Sequence, residues 1–219
     1  RGTNNLTDNS INNILNKIQN QGLPLEKLCN INQGIVTGAD KVSRRYIEKY
    51  KIKSKLGDGI FVLKQEEILE LKLNEQEIKL IKPWYKNSDI YKYYTKTKSL
   101  NFVILSNFIV NLSDFPNIKK HLSKFELVLK NRSQMEHCLD WWDLHQIRMK
   151  DKNKTGEIKK MIFDGPKIVT PQRSNRNTFG YNEIPWYASS GVYFITEKDK
   201  DINLKYLLAL LNSQLYYLW

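Results

Sequence analysis

Cysteine is scarce. Cys29 and Cys138 are the only two in 219 residues, and neither belongs to a CxxC pair. That spacing argues against a disulfide framework or a structural zinc site and for reduced thiols. No apolar run reaches the roughly 18 residues a membrane helix requires, and no signal peptide opens the chain. The phosphate-cradling GxGxxG and P-loop patterns and the HExxH zinc motif are missing. So is an Asn-Pro-Pro-aromatic tetrapeptide, which amino-methyltransferases place around a target base. Acid is in deficit: 23 Asp and Glu face 35 Lys and Arg, a formal charge of +12. An AT-rich coding bias raises Lys and Asn, but it raises Glu too and does not explain the imbalance. A surface this basic suits a polyanion, because phosphate contacts release counterions.

What is present is enough for a globular core, since 41% of residues are hydrophobic. Asp8 to Asn20 carries Ile11, Ile14, Leu15 and Ile18 at helical spacing, with Asp8 as candidate cap and Gly22 and Pro24 as the stop. Leu28 to Val42 reads as short strands around turns. Arg44 to Lys53 is a candidate helix, Ile60–Leu63 a strand, and Glu66 to Ile81 mainly helical until Pro83-Trp84-Tyr85. Tyr91–Tyr94 and Leu100–Leu105 are strand candidates. Ile118, Leu122, Phe125 and Leu129 line one helical face opened at Pro116. Lys150 to Lys160 reads as an exposed loop. Lys167–Thr170 and Gly191–Thr196 are strands. Leu204, Leu207, Leu208, Leu211, Leu215 and Leu218 form the stripe of one long C-terminal helix capped by Asn203. Strands and helices mix without βαβ spacing, so the expected fold is α+β: a mixed, largely antiparallel sheet or sheets, flanking helices and that final helix. Residues 1–25 are expected to connect to an upstream domain and 26–219 to form the main domain. The chain starts at Arg1 without Met and stops at Trp219 inside an apolar pattern, as expected of a piece of a longer protein.

Several features compete for chemistry. His121, His137 and His145 lack metal spacing; His121 is expected on a helix surface, and adjacent His137 and Cys138 diverge. Asp58 with Glu70-Leu71-Lys72 loosely fits a nuclease pattern, but lies in a Lys/Glu-rich stretch where a solvated face is the ordinary explanation. The strongest feature runs from Pro171 to Phe179 and holds Gln172, Arg173, Ser174, Asn175, Arg176 and Asn177. Its bland reading is a solvated loop. Yet most of the chain's basic residues are Lys, whereas this loop uses Arg, whose planar fork pairs bidentately with phosphate or guanine, while Asn and Gln match adenine. Ile31 to Lys41, with Gly34 and Gly38, can cradle a phosphate or form a plain β-turn. The aromatic run Trp84, Tyr85, Tyr91, Tyr93 and Tyr94 can stack bases, fill a core or line a domain interface. Trp84 is expected in the core, the Trp141-Trp142 pair is expected to be structural, and Lys86 is a candidate phosphate contact. The leucine stripe is a candidate partner surface.

Six blocks, in order, resemble the TaqI-like C-terminal specificity domain, the target-recognition domain of adenine-specific DNA methyltransferases and fused restriction–modification enzymes. They are Gln33–Val42, Ile81–Ile90, Trp141–Leu144, Gly165–Arg173, Trp186–Ser189 and Leu207–Leu215. The resemblance implies a non-catalytic domain that grips double-stranded DNA. A separate upstream methyltransferase domain would bind S-adenosylmethionine, and the whole protein would be prokaryotic and cytoplasmic, with possible endonuclease activity. On this reading Lys41, Lys86 and Lys167 contact backbone phosphate, and Gln172, Arg173, Ser174, Asn175, Arg176 and Asn177 lie in the groove. The family pattern often has Asn near Ala39 and Asp40; an acid at 40 weakens a phosphate role for that side chain. Alternatives are a metal-dependent nuclease using Asp58, Glu70 and Lys72, or an assembly module binding through Leu204–Leu218.

Overall fold

The computed structural model describes residues 4–133, 135–147, 154, 156–158, 160–198 and 202–218. In chain order, helices α1 (Asn4–Gln21) and α2 (Leu25–Leu28) precede strand β1 (Cys29–Gln33) and helix α3 (Arg44–Tyr50). Strand β2 (Val62–Lys64), helices α4 (Gln65–Glu70) and α5 (Glu75–Lys79), and strands β3 (Ile81–Tyr85), β4 (Tyr93–Tyr94) and β5 (Asn101–Ile104) follow. Helices α6 (Pro116–Ser123) and α7 (Glu126–Lys130) lead to strands β6 (Lys167–Pro171), β7 (Gly180–Asn182), β8 (Tyr187–Ala188) and β9 (Val192–Glu197), then helices α8 (Leu204–Leu211) and α9 (Gln214–Leu218).

The strands make two sheets, ordered β1-β9-β6-β7-β4 and β2-β5-β3-β8. Pairing is antiparallel except at β3–β8 and β4–β7, so the fold is α+β. The larger sheet is covered on both faces, which is why Ile168 and Val169 are both buried although they point opposite ways. Val169 and Phe194 face the main core. Ile168 and Ile195 face Leu204, Leu208 and Leu211 of α8. The leucine stripe, a candidate partner surface, is thus largely consumed inside the chain. Residues 186–197 strap the sheets together: Tyr187 and Ala188 pair with β3, and Val192 onward joins the larger sheet. Trp186 stacks on Tyr85, ring centroids 4.7 Å apart and nearly parallel at 6°.

Expected helices were longer than those observed. The helix expected over 66–81 is divided into α4 and α5 by Lys72 at φ 50°. The Ile118–Leu129 face is split between α6 and α7. The single C-terminal helix is absent, because Asn212 ends α8. Its buried amide accepts from the Phe179 N–H (3.2 Å) and donates to Phe179 O (2.8 Å) and Leu208 O (3.1 Å). These tertiary bonds compete with continued helix. Asp8 lies inside α1 rather than at its cap. His121 is buried, not at the surface: Nε2 lies 2.9 Å from Ile60 O, the ring meets Phe125 edge-on, and burial holds its pKa below the usual value.

Glu77 joins α5 to α6. Fully buried, its carboxylate accepts from the Asn117 and Ile118 amides, the Asn117 side chain and its own cap at Asn74. Burial pushes its pKa up, but these bonds outweigh that and leave it lowered. Within the stretch expected to be an exposed loop, Lys154 is instead half-buried, its ammonium held between Asp140 (2.5 Å) and Asp143 (2.6 Å); residues 150–153, 155 and 159 lie outside the described residues.

Candidate nucleic-acid interface

The loop between β6 and β7 is held at both ends and stapled in the middle. At its start the Gln172 N–H donates to Gly191 O (2.8 Å). At its end the Asn212 amide grips Phe179. Inside, the Ser174 hydroxyl donates to Arg176 O (2.7 Å) and accepts from the Arg176 N–H (3.3 Å); Thr178 Oγ1 also reaches Arg176 O (3.2 Å). Arg173, Asn175 and Arg176 are exposed, and neither guanidinium has a hydrogen-bond or ion-pair partner among the described residues. A free Arg fork on a constrained backbone loses less entropy on meeting a ligand than one on a loose loop. Ser174, expected in the groove, has its hydroxyl engaged in shaping the loop. Asn177 turns its amide nitrogen inward, where it is buried with no partner among the described residues.

Beside the start of this loop lies an open cleft of about 560 Å³ that brings together Lys41 and Lys86, 45 positions apart. Its floor is Trp84 and Tyr85, and its polar lining includes Asn87, Ser88, Asn101 and Ser189. Lys41 is fixed by bridging to Gly59. Lys86 starts a short turn in which its N–H donates to Asp89 Oδ2 (2.8 Å). The Asn87 side chain leans on Gly191, whose carbonyl anchors Gln172, so cleft and loop share one wall. Asp40 also lines the cleft, with its carboxylate accepting from the Thr37 hydroxyl.

One expected contact fails on burial, and one open alternative fails on hydrogen bonding. Lys167 is fully buried, and its Nζ donates to Gly165 O and Ile184 O, each at 2.7 Å, so it is not placed to meet a phosphate. Loss of solvent pushes its pKa down to about 7, partly offset by Asp164. The Gln33–Ala39 segment is not a phosphate cradle either. The amides of Gly34, Ile35 and Val36 donate to Val192 O, Ala188 O and Gln146 O. A Cβ at Gly34 would overlap the Ser189 and Ala188 carbonyls, so this glycine serves a close backbone crossing. Gly38 (φ 82°) turns over the buried Arg132 guanidinium, which donates to Thr37 O (3.1 Å) and to Asp143 O. In the nuclease alternative, the Asp58 carboxylate accepts from the Lys55 amide and closes its own turn (2.7 Å). Lys72 sits beside an apolar hollow with Ile68, Leu73 and Phe102.

Sequence reasoning passed over Arg44-Arg45, an exposed pair three residues after Lys41 whose adjacency was the available signal. Of the aromatic run, Trp84 and Tyr85 are buried, whereas Tyr91, Tyr93 and Tyr94 are exposed. Among the described residues, no helix is long and apolar enough to cross a membrane.

The type II methyltransferase M.BstVI of Geobacillus stearothermophilus is 23% identical over 111 residues, covering 51% of this chain and 18% of that protein. The type IIL restriction–modification enzyme MmeI, solved in complex with DNA, shares the fold at a TM-score of 0.54 and 13% identity, over 88% of this chain and 22% of that one. The chain therefore spans about a fifth of the length of either relative. A family described as the TaqI-like C-terminal specificity domain matches residues 82–219. That span holds five of the six blocks almost whole, from Lys82-Pro83-Trp84-Tyr85 to Leu207–Leu215, and leaves out Gln33–Val42. The chain belongs to the TaqI-like C-terminal specificity domain family.

Proposed function

We propose that this chain is the site-selecting, double-stranded DNA-binding part of an adenine-N6 methyltransferase or a fused restriction–modification enzyme. The observation that carries the reading is the pair of exposed arginines, Arg173 and Arg176, without partners among the described residues, on a stapled loop that shares a wall with the Lys41–Lys86 cleft. Forked donors on a firm backbone suit base edges, and point charges in an open cleft suit the sugar–phosphate chain. The kinship with M.BstVI and with DNA-bound MmeI supports the same reading. Methyl transfer from S-adenosylmethionine belongs to a separate catalytic domain. This chain contributes grip and register, in a protein that works in the cytoplasm of a prokaryote.

The division of labour is testable. Lys41→Ala and Lys86→Ala are each expected to weaken binding about equally on every duplex. Each should also lower the slope of log affinity against log salt by about 1. Fluorescence anisotropy across a salt series measures both. Unchanged slopes in both variants would remove the cleft from the interface.

A further inference from the structure

We propose that Tyr91, Tyr93 and Tyr94 form an aromatic shelf that stacks on DNA bases left unpaired beside the recognition loop. This rests on the DNA-binding reading above and extends it to a surface outside the loop and the cleft.

The three rings are 42%, 49% and 59% exposed, although the hairpin that carries them is firmly rooted. Ile90 and Thr95 are buried and bridge to each other, Tyr91 N–H donates to Tyr94 O (2.9 Å), and Thr95 Oγ1 accepts from the buried Asn182 amide (3.1 Å). Only the tip projects. There Tyr91 and Tyr94 lie face to face, centroids 4.9 Å apart and 19° from parallel, and form a two-ring stack onto which a further flat ring can be added. Tyr93 sits at φ 79°, a left-handed conformation that a bulky side chain rarely takes. It is retained here although an exposed ring gains nothing from the core.

The shelf is continuous with the proposed interface. Tyr93 N–H donates to Phe179 O (2.8 Å), the last residue of the loop, and β4 pairs with β7 at Gly180 and Tyr181. Gly180 has no side chain because a Cβ would stand 2.6 Å from Tyr94 O, so loop exit and tyrosine hairpin are in backbone contact. Charge points the same way: Lys92 lies 5.3 Å from the centre of the Tyr93 ring, and Lys98 is exposed in the same segment. Alternating Tyr and Lys is what a surface needs to hold a base face and its phosphate together. An intact duplex keeps its base faces covered by neighbouring bases, so the shelf can be filled only where a pair has opened. The occupant is therefore an unpaired base rather than a groove edge.

The test compares three probes: an intact duplex, the same duplex with a central one-base bulge of 2-aminopurine, and the single strand. The wild-type chain is expected to bind the bulged duplex more tightly than the intact one and to change the 2-aminopurine emission. The Tyr91→Ala/Tyr94→Ala double variant should lose about tenfold on the bulged duplex, with its salt slope unchanged, and Tyr91→Phe/Tyr94→Phe should restore binding. Circular dichroism confirms that the variants fold. Normal salt-dependent binding of intact duplex, with no bulge preference or an equal preference in the alanine variant, overturns the shelf and leaves the loop and cleft standing. An absence of salt-dependent binding to all three probes overturns both proposals. Recovery of the tyrosine hairpin in complex with another protein chain, with no effect on DNA, assigns the shelf to that partner and overturns it as well.

Discussion

Replacing both Arg173 and Arg176 with alanine is expected to weaken duplex binding on the order of a hundredfold, on the order of tenfold per arginine if the two act independently. The fold should be indifferent to the change. The bonds that shape the loop use the Arg176 backbone, the Ser174 hydroxyl and the Thr178 hydroxyl, and none uses a guanidinium. Melting of the variant should therefore stay within about 0.5 kcal/mol of wild type. Arg176→Lys is the sharper variant. It keeps the charge and discards the fork, so bulk affinity should survive while discrimination between duplexes shrinks. Anisotropy titrations against a panel of duplexes separate these outcomes. A double alanine variant that binds like wild type would take the loop out of the interface.

Lys167→Ala is expected to act in the opposite way, costing about 2–4 kcal/mol of stability with no direct effect on DNA. It removes the donor shared by two partly buried carbonyls, Gly165 O and Ile184 O, and opens a void at the start of β6. Chemical denaturation measures the loss, and duplex binding by the folded variant should keep the wild-type salt slope. The pH dependence is distinctive. The Lys167 pKa is about 7 in the folded chain against 10.5 for an ordinary lysine. Between those values the unfolded chain holds a proton that the folded chain does not. Wild-type stability from this group is therefore complete above about pH 10.5, falls as pH drops toward 7, and is flat below. That slope should vanish in Lys167→Ala. A variant as stable as wild type but weaker on DNA would restore Lys167 to the phosphate contacts.

Much of the architecture was legible because burial leaves a period in the sequence. The Lys167–Thr170 and Gly191–Thr196 strands are present nearly as expected. So are the Pro116 helix start and the Asn203 cap, whose side chain accepts from the Lys205 and Tyr206 amides. Helix ends were not legible. The same apolar stripe continues across a break when both pieces pack on one core, and the break at Asn212 is set by Phe179, 33 residues away. β3 was hidden by Pro83, which reads as a stop. Pro83 pairs with Phe102 on one side, and β8 joins only from Trp84 onward.

Within the candidate site, the concentration of Arg and Asn side chains marked a loop whose arginines the fold leaves exposed, and two of the three lysines share a cleft. Lys167 misled because its partners are carbonyls, which no residue type announces. The sequence left Tyr91, Tyr93 and Tyr94 open between stacking and core; the hairpin root, which buries Ile90 and Thr95 instead, decides for exposure.

Selection of bound duplexes from a randomised pool tests the central claim most directly. The chain is expected to enrich one recurrent sequence, and exchanging Arg173–Asn177 for the corresponding loop of a relative with a different target should change that sequence. A bound pool as random as the starting one, or a preference that survives the loop exchange, would contradict reading of DNA by this loop.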